Sequence, residues 1–134
     1  MTDLLRNDAA GKLILRLTVG GLMLFHGFSK LFNPGSIGFI GSKLAEAGLP
    51  EALSYGVYIG EILAPLMIIA GLLSRAGAAM VVVNMLFAII LVHSGDIFAL
   101  TEHGGWRLEL QGFYLLGSLA ILFLGSGRYA LKPD

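Results

Sequence analysis

A chain of 134 residues has room for one domain, and this one is 56% hydrophobic and 13% charged, with a mean hydropathy of +0.81. Nine Lys and Arg balance nine Asp and Glu, so there is no basic excess to suit nucleic acid and no acidic tail to suit a cationic partner. These ionic side chains are too few to clothe a water-soluble domain of this size, and the absence of Cys excludes thiol-disulfide chemistry, thiolate metal sites and cysteine nucleophiles.

Four apolar stretches follow one another, each near the roughly 20 residues that a helix needs to cross a hydrocarbon core. They cover residues 13–32, 55–73, 76–92 and 106–124. The runs are continuously apolar rather than alternating, which predicts helices and not a barrel. The expected fold is therefore an all-α, antiparallel four-helix membrane bundle in a single transmembrane domain, residues 1–134. Arg6 and Lys12 ahead of the first stretch resemble the start of a secretory signal, but the length of that stretch, its internal Arg16, His26 and Lys30, and the lack of a small-residue cleavage pattern predict a retained helix. Between the first and second stretches, Asn33-Pro34-Gly35-Ser36 is a helix stop. Ile37, Phe39, Ile40, Leu44 and Ala47 then follow at mixed helical spacing, which suits either a short interfacial helix or a solvated loop. Ser74 and Arg75 leave room only for a tight hairpin between the second and third stretches.

Orientation follows from the basic residues of the short loops. With both termini cytoplasmic, that side holds Arg6, Lys12, Arg75, Arg128 and Lys132, against Lys30, Lys43 and Arg107 outside. Arg16 is then left within the membrane, where it is expected to snorkel or pair locally.

The informative residues are polar groups inside apolar helices, where a charge costs about 2.5 to 3.5 kcal/mol on insertion scales and so needs a partner or a task. The topology places His26, Lys30, Glu61, His93, Asp96, Glu109 and Gln111 in the outer half of the bundle, drawn from all four helices. Acids, imidazoles and an ammonium gathered in a low dielectric would shift one another's protonation, a usual property of functional sites. The plainer reading makes Lys30 with Glu61 and His93 with Glu109 polar pairs that hold helices together. Asn84 lies at mid-depth in the third helix, and His103 is expected to be solvated in the outer loop. Nineteen glycines, among them Gly20-Gly21, Gly56 with Gly60 and Gly112 with Gly117, are read as close-packing positions. No phosphate-binding loop, dinucleotide fingerprint or nucleophile elbow occurs. A faint internal repeat pairs His26 with His93, Glu61 with Glu109, and Ser74-Arg75 with Gly127-Arg128.

The His26-Gly27-Phe28-Ser29-Lys30 end of the first helix, Gly48-Leu49-Pro50, Glu61, Gly71-Leu72-Leu73-Ser74-Arg75, His93 and the closing Gly125-Ser126-Gly127-Arg128-Tyr129 resemble, in order and spacing, the DoxX family of small bacterial membrane proteins. The resemblance covers about residues 11–131. It implies a four-helix inner-membrane protein linked to redox processes, some relatives being subunits of thiosulfate:quinone oxidoreductase. It also supports His26, Lys30, Glu61 and His93 as site positions.

The favoured expectation is a membrane component of an oxidoreductase system, a subunit of a quinone-linked enzyme, with a polar outer-leaflet cavity for a quinone-like or small anionic ligand. His26, Glu61 and His93 are the catalytic candidates: the imidazoles would donate protons to a quinone carbonyl and a carboxyl would resupply them. Lys30, Glu109, Gln111 and Asp96 are the ligand-binding candidates, Lys30 to stabilise an anion. Without Cys or a recognisable haem or flavin site, electrons would arrive from a membrane or peripheral redox partner. A homo-oligomer and a non-catalytic scaffold or chaperone for a partner protein remain open. A metal centre of His26, His93, Glu61 and Glu109 is the weakest reading, since no two of these ligands lie at metal-motif spacing in one helix.

Overall fold

The computed structural model describes residues 5–134 and is all-helical, with no strand among the described residues. Helix α1 (Asp8–Phe32) begins five residues before the apolar run. The cause is local: the side-chain oxygen of Asn7 accepts the Ala10 N–H at 3.0 Å, and Asp8 pairs with Lys12 one turn on at 2.7 Å. It ends at Asn33-Pro34, where the chain enters α2 (Gly35–Glu46). The segment that allowed two readings is thus a 12-residue helix, which buries Ile37, Gly41 and Leu44 and packs on the following turn.

The next helix, α3 (Glu51–Ala70), is not uniform. It opens as a 3-10 turn (Glu51–Tyr55), makes one α-turn (Gly56–Tyr58), widens into a π-turn (Ile59–Leu63) and closes as α-helix (Ala64–Ala70). Pro65 explains the widening: with no N–H it cannot bond the carbonyl of Glu61 four residues earlier, and its ring crowds that carbonyl. Gly71, at φ +71°, takes the left-handed conformation that ends the helix. Helix α4 (Ser74–Leu91) follows at once.

The loop to α5 (Glu109–Leu124) is folded on itself by a bridge between Leu100 and Trp106. The Trp106 indole N–H donates to the Ile97 carbonyl at 2.7 Å. That fixes Trp106 in the loop, so α5 starts three residues later than the apolar pattern predicts. Beyond α5 the tail returns to the end of α3: the N–H groups of Leu131 and Lys132 donate to the carbonyls of Ala70 and Gly71, each at 3.0 Å.

The core joins α1, α3, α4 and α5 through Val19, Met23, Ile68, Val81, Met85 and Ile121. The outside is apolar too: Phe25, Ile90, Phe113 and Phe123 are each at least 65% exposed. An apolar core inside an apolar exterior is the arrangement for which lipid is the solvent. Helices α1, α3 and α4 are long and apolar enough to cross a membrane, and α5 is a shorter apolar helix of 16 residues. This is a membrane protein.

Candidate ligand-binding site

The site begins with the π-turn, which turns Glu61 into the protein, where it is only 3% exposed. Its two carboxylate oxygens have different partners. The Lys30 ammonium from α1 lies 2.5 Å from Oε1, and the Asn84 amide from α4 donates to Oε2 at 2.8 Å. One carboxylate thereby ties three helices, with charge and hydrogen bonds both satisfied.

Two glycines make this geometry possible. A Cβ on Gly27 would stand 2.1 Å from the Glu61 backbone oxygen, and one on Gly60 would stand 2.6 Å from the Asn84 Cβ. Any side chain at either position would drive the helices apart and separate Lys30 and Asn84 from the carboxylate. Gly20 and Gly117 also meet neighbours closely, whereas Gly21 and Gly56 face open space, so not every expected pair serves packing.

Around this trio lies a cavity of about 520 Å³. Apolar side chains such as Met23, Ile40, Met85, Phe87 and Leu91 form most of its wall, and His26, Lys30, Glu61, Asn84, His93 and Gln111 supply the polar part. His26 is held edge-on against the Tyr114 ring, with centroids 5.5 Å apart and planes at 86°. Across the cavity, His93 Nε2 is 3.5 Å from Gln111 Nε2, and His93 Nδ1 is 3.5 Å from an Asp96 carboxylate oxygen. The Gln111 amide oxygen is buried and has no hydrogen-bond partner.

Five of the residues singled out in the sequence, His26, Lys30, Glu61, His93 and Gln111, therefore border one space. Asp96 stands behind His93 rather than at the wall. Glu109 is exposed in the first turn of α5 with its carboxylate close to Gly105, so the expected pair of Glu109 with His93 is not formed. His93 has Gln111 and Asp96 beside it instead, because α5 begins only at Glu109 and Gln111 is the residue turned inward. Among the described residues no three His, Asp or Glu side chains gather as a metal centre, so the four-ligand set is not assembled.

Two cavity residues lie outside the expected site set. Asn84 is conspicuous in the sequence as the lone amide in an apolar helix. Tyr114 looks in the sequence like any core aromatic.

Arg16 corrects another expectation. It neither snorkels nor pairs locally, but is 1% exposed and donates to the carbonyls of Ile68, Ile69, Ser126 and Tyr129 at 2.6–3.0 Å. Carbonyls at the end of α3 and in the returning tail supply its partners, in place of a carboxylate.

The sequence profile of the DoxX family matches residues 11–94. "Putative oxidoreductase CatD" of Bacillus subtilis is 32% identical over 124 residues, which is 92% of this chain and 85% of that protein. "Uncharacterized membrane protein Rv3486" of Mycobacterium tuberculosis is 28% identical over 131 residues, covering 87% of this chain and 76% of that one. An uncharacterized protein of Haemophilus influenzae is 33% identical over 120 residues, covering 87% and 84%. No solved structure matches the chain.

Proposed function

The chain belongs to the DoxX family, and from that premise we propose that it is a membrane component of an oxidoreductase system whose cavity takes a quinone-like ligand. The observation that carries this reading is the convergence of His26, Lys30, Glu61, His93 and Gln111 on one largely apolar space of about 520 Å³. That is the usual composition of a small-molecule site, apolar walls with a few placed polar groups. The name of the Bacillus subtilis relative points toward redox work as well.

The donor set fits a flat ring that bears carbonyls. When bound, a quinone supplies reversible uptake of electrons and protons. Imidazole N–H groups on His26 and His93 can hydrogen-bond the oxygens, and the Lys30 ammonium favours negative charge at the oxygen beside it. Glu61 holds Lys30 and Asn84 in place, and Asp96 can orient and recharge His93 from behind. Gln111 borders the same space beside His93 and can hydrogen-bond a ring oxygen through its amide N–H. In a sequence without Cys, a membrane or peripheral redox partner supplies the electrons.

This reading extends to topology: four antiparallel helices span the bacterial inner membrane, both termini cytoplasmic. At 16 residues α5 is about 24 Å long, and Trp106 in the loop before it suits an interfacial position. Lys12, Arg75 and the tail containing Arg128 and Lys132 meet at one end of the molecule, and Lys30 lies toward the other end of α1. That grouping suits a cytoplasmic basic end.

Thermal unfolding in mild detergent with a soluble benzoquinone tests the site. The native chain is expected to gain stability as RT ln(1 + [L]/Kd), and the chain with His26→Ala and Gln111→Leu to lose that gain while melting normally without ligand. Equal gains in both would remove the cavity as the binding site.

A further inference from the structure

Beside the polar cavity lies a second, almost wholly apolar space of about 440 Å³ between α2, α3 and α4. Leu44, Leu53, Ile59, Met80 and Val83 line it, and no charged side chain does. The two spaces adjoin: Ile40, Val57, Asn84, Phe87 and Leu91 border both. Asn84 stands at the junction, its amide on Glu61 and its stem against Gly60. Leu53, Ile59 and Val83 are about half-exposed on the lipid-facing exterior, so the groove opens sideways into the hydrocarbon rather than to water.

We infer that the groove is the path by which an apolar tail attached to the ligand's polar head leaves the cavity for the bilayer, so that the site takes tailed lipid-soluble ligands laterally from the membrane. This rests on the cavity being the headgroup site, as proposed above. Its own ground is the geometry: a head among His26, Lys30 and Gln111 has this groove beside it, and past Asn84 a chain laid there meets apolar side chains. A tail gains little from the groove over lipid, because both are apolar. What the groove provides is room, so blocking it should exclude tailed ligands and spare tailless ones.

Gly56 makes the block clean. It lines the groove in right-handed helical conformation, and a Cβ added there meets nothing within 4 Å. Gly56→Phe therefore adds a ring at the groove's lining without a backbone clash. The probes are 2,3-dimethoxy-5-methylbenzoquinone and its 6-decyl derivative, titrated into native and Gly56→Phe protein in nanodiscs, with Gly56→Ala as the small-residue control. The expected result is that Gly56→Phe weakens the decyl compound at least tenfold, Gly56→Ala does not, and the tailless compound binds all three alike. Unchanged binding of both probes to Gly56→Phe overturns the tail path, and leaves the groove to phospholipid chains. Equal weakening of both, with unliganded melting intact, overturns it too, since the groove would then serve the head. If neither probe binds native protein, the headgroup site itself fails and the tail path with it.

Discussion

Helix α1 turns two cations into the protein, the buried Arg16 and the partly buried Lys30, separated by about 21 Å along the axis, and the protein treats them in opposite ways. Arg16 is sealed in and gives four of its five N–H groups to backbone carbonyls from the end of α3 and the returning tail. Lys30 keeps about a quarter of its side chain accessible, has a single carboxylate partner, and borders a cavity. A planar guanidinium with five donors suits a fixed cluster of carbonyls, and a compact ammonium suits a partner that must share it. The difference teaches that charge within an apolar helix marks chemistry only where space has been left beside it. At the Arg16 end the charge closes a structure, and at the Lys30 end it borders the space proposed as the site.

The largest effect should come from breaking the closed end. Arg16→Met keeps length and apolar contact but takes the guanidinium from four carbonyls, of which only that of Ile68 keeps another backbone donor, the Gly71 N–H, and is expected to cost about 3 to 5 kcal/mol. Unfolding in mixed micelles would measure it. A loss below about 1 kcal/mol would mean that water or lipid headgroups satisfy the carbonyls, and the contrast between the two ends would dissolve.

At the open end the effect should be smaller and conditional. Glu61→Gln keeps the shape and the Asn84 contact yet leaves Lys30 without a counter-charge, for an expected loss of about 2 to 3 kcal/mol. The double variant with Lys30→Met removes both charges and should recover most of that loss. Its ligand-induced stabilisation should nevertheless stay absent. Additive losses in the double variant would show that the two residues act apart, against the 2.5 Å contact.

The all-helical membrane character was plain in the sequence, because hydrophobic runs report their own solvent. The outer set was legible for the same reason: His26, Lys30, Glu61 and His93 are conspicuous where polarity is costly. Which of them meet was less so. Glu109 and Gln111 are two residues apart, so a small shift in where α5 begins exchanges the one that faces inward. That shift is set by the Leu100 and Trp106 bridge, a tertiary feature without a periodic signal. The role of Arg16 was hidden because its partners are backbone carbonyls, and every residue has one. The π-turn could have been anticipated, since Pro65 follows Glu61 at the interval that frees a carbonyl.

The smallest effect lies at the closed end, and sharpens the comparison through pH. Partial burial opposes ionisation of the Asp134 carboxyl, but hydrogen bonds from Ser74, the Arg75 N–H and Ser126, together with the Arg75 charge, outweigh it and hold the group below its ordinary value of 3.8. A carboxyl depressed on folding stabilises above its unfolded value and loses that stabilisation as pH falls through the lower, folded one. The tail's hold on α4 should thus be constant from pH 7 to about pH 4 and weaken only below. Asp134→Asn should be weaker throughout that upper range and show less of the acid-dependent loss. Because the group is exposed and screened, the shift should be slight, and salt should shrink it further. Proteolysis of the tail against pH reads it directly. Equal acid sensitivity in the native and Asp134→Asn proteins would show that Arg16, and not the Asp134 cluster, alone holds the tail.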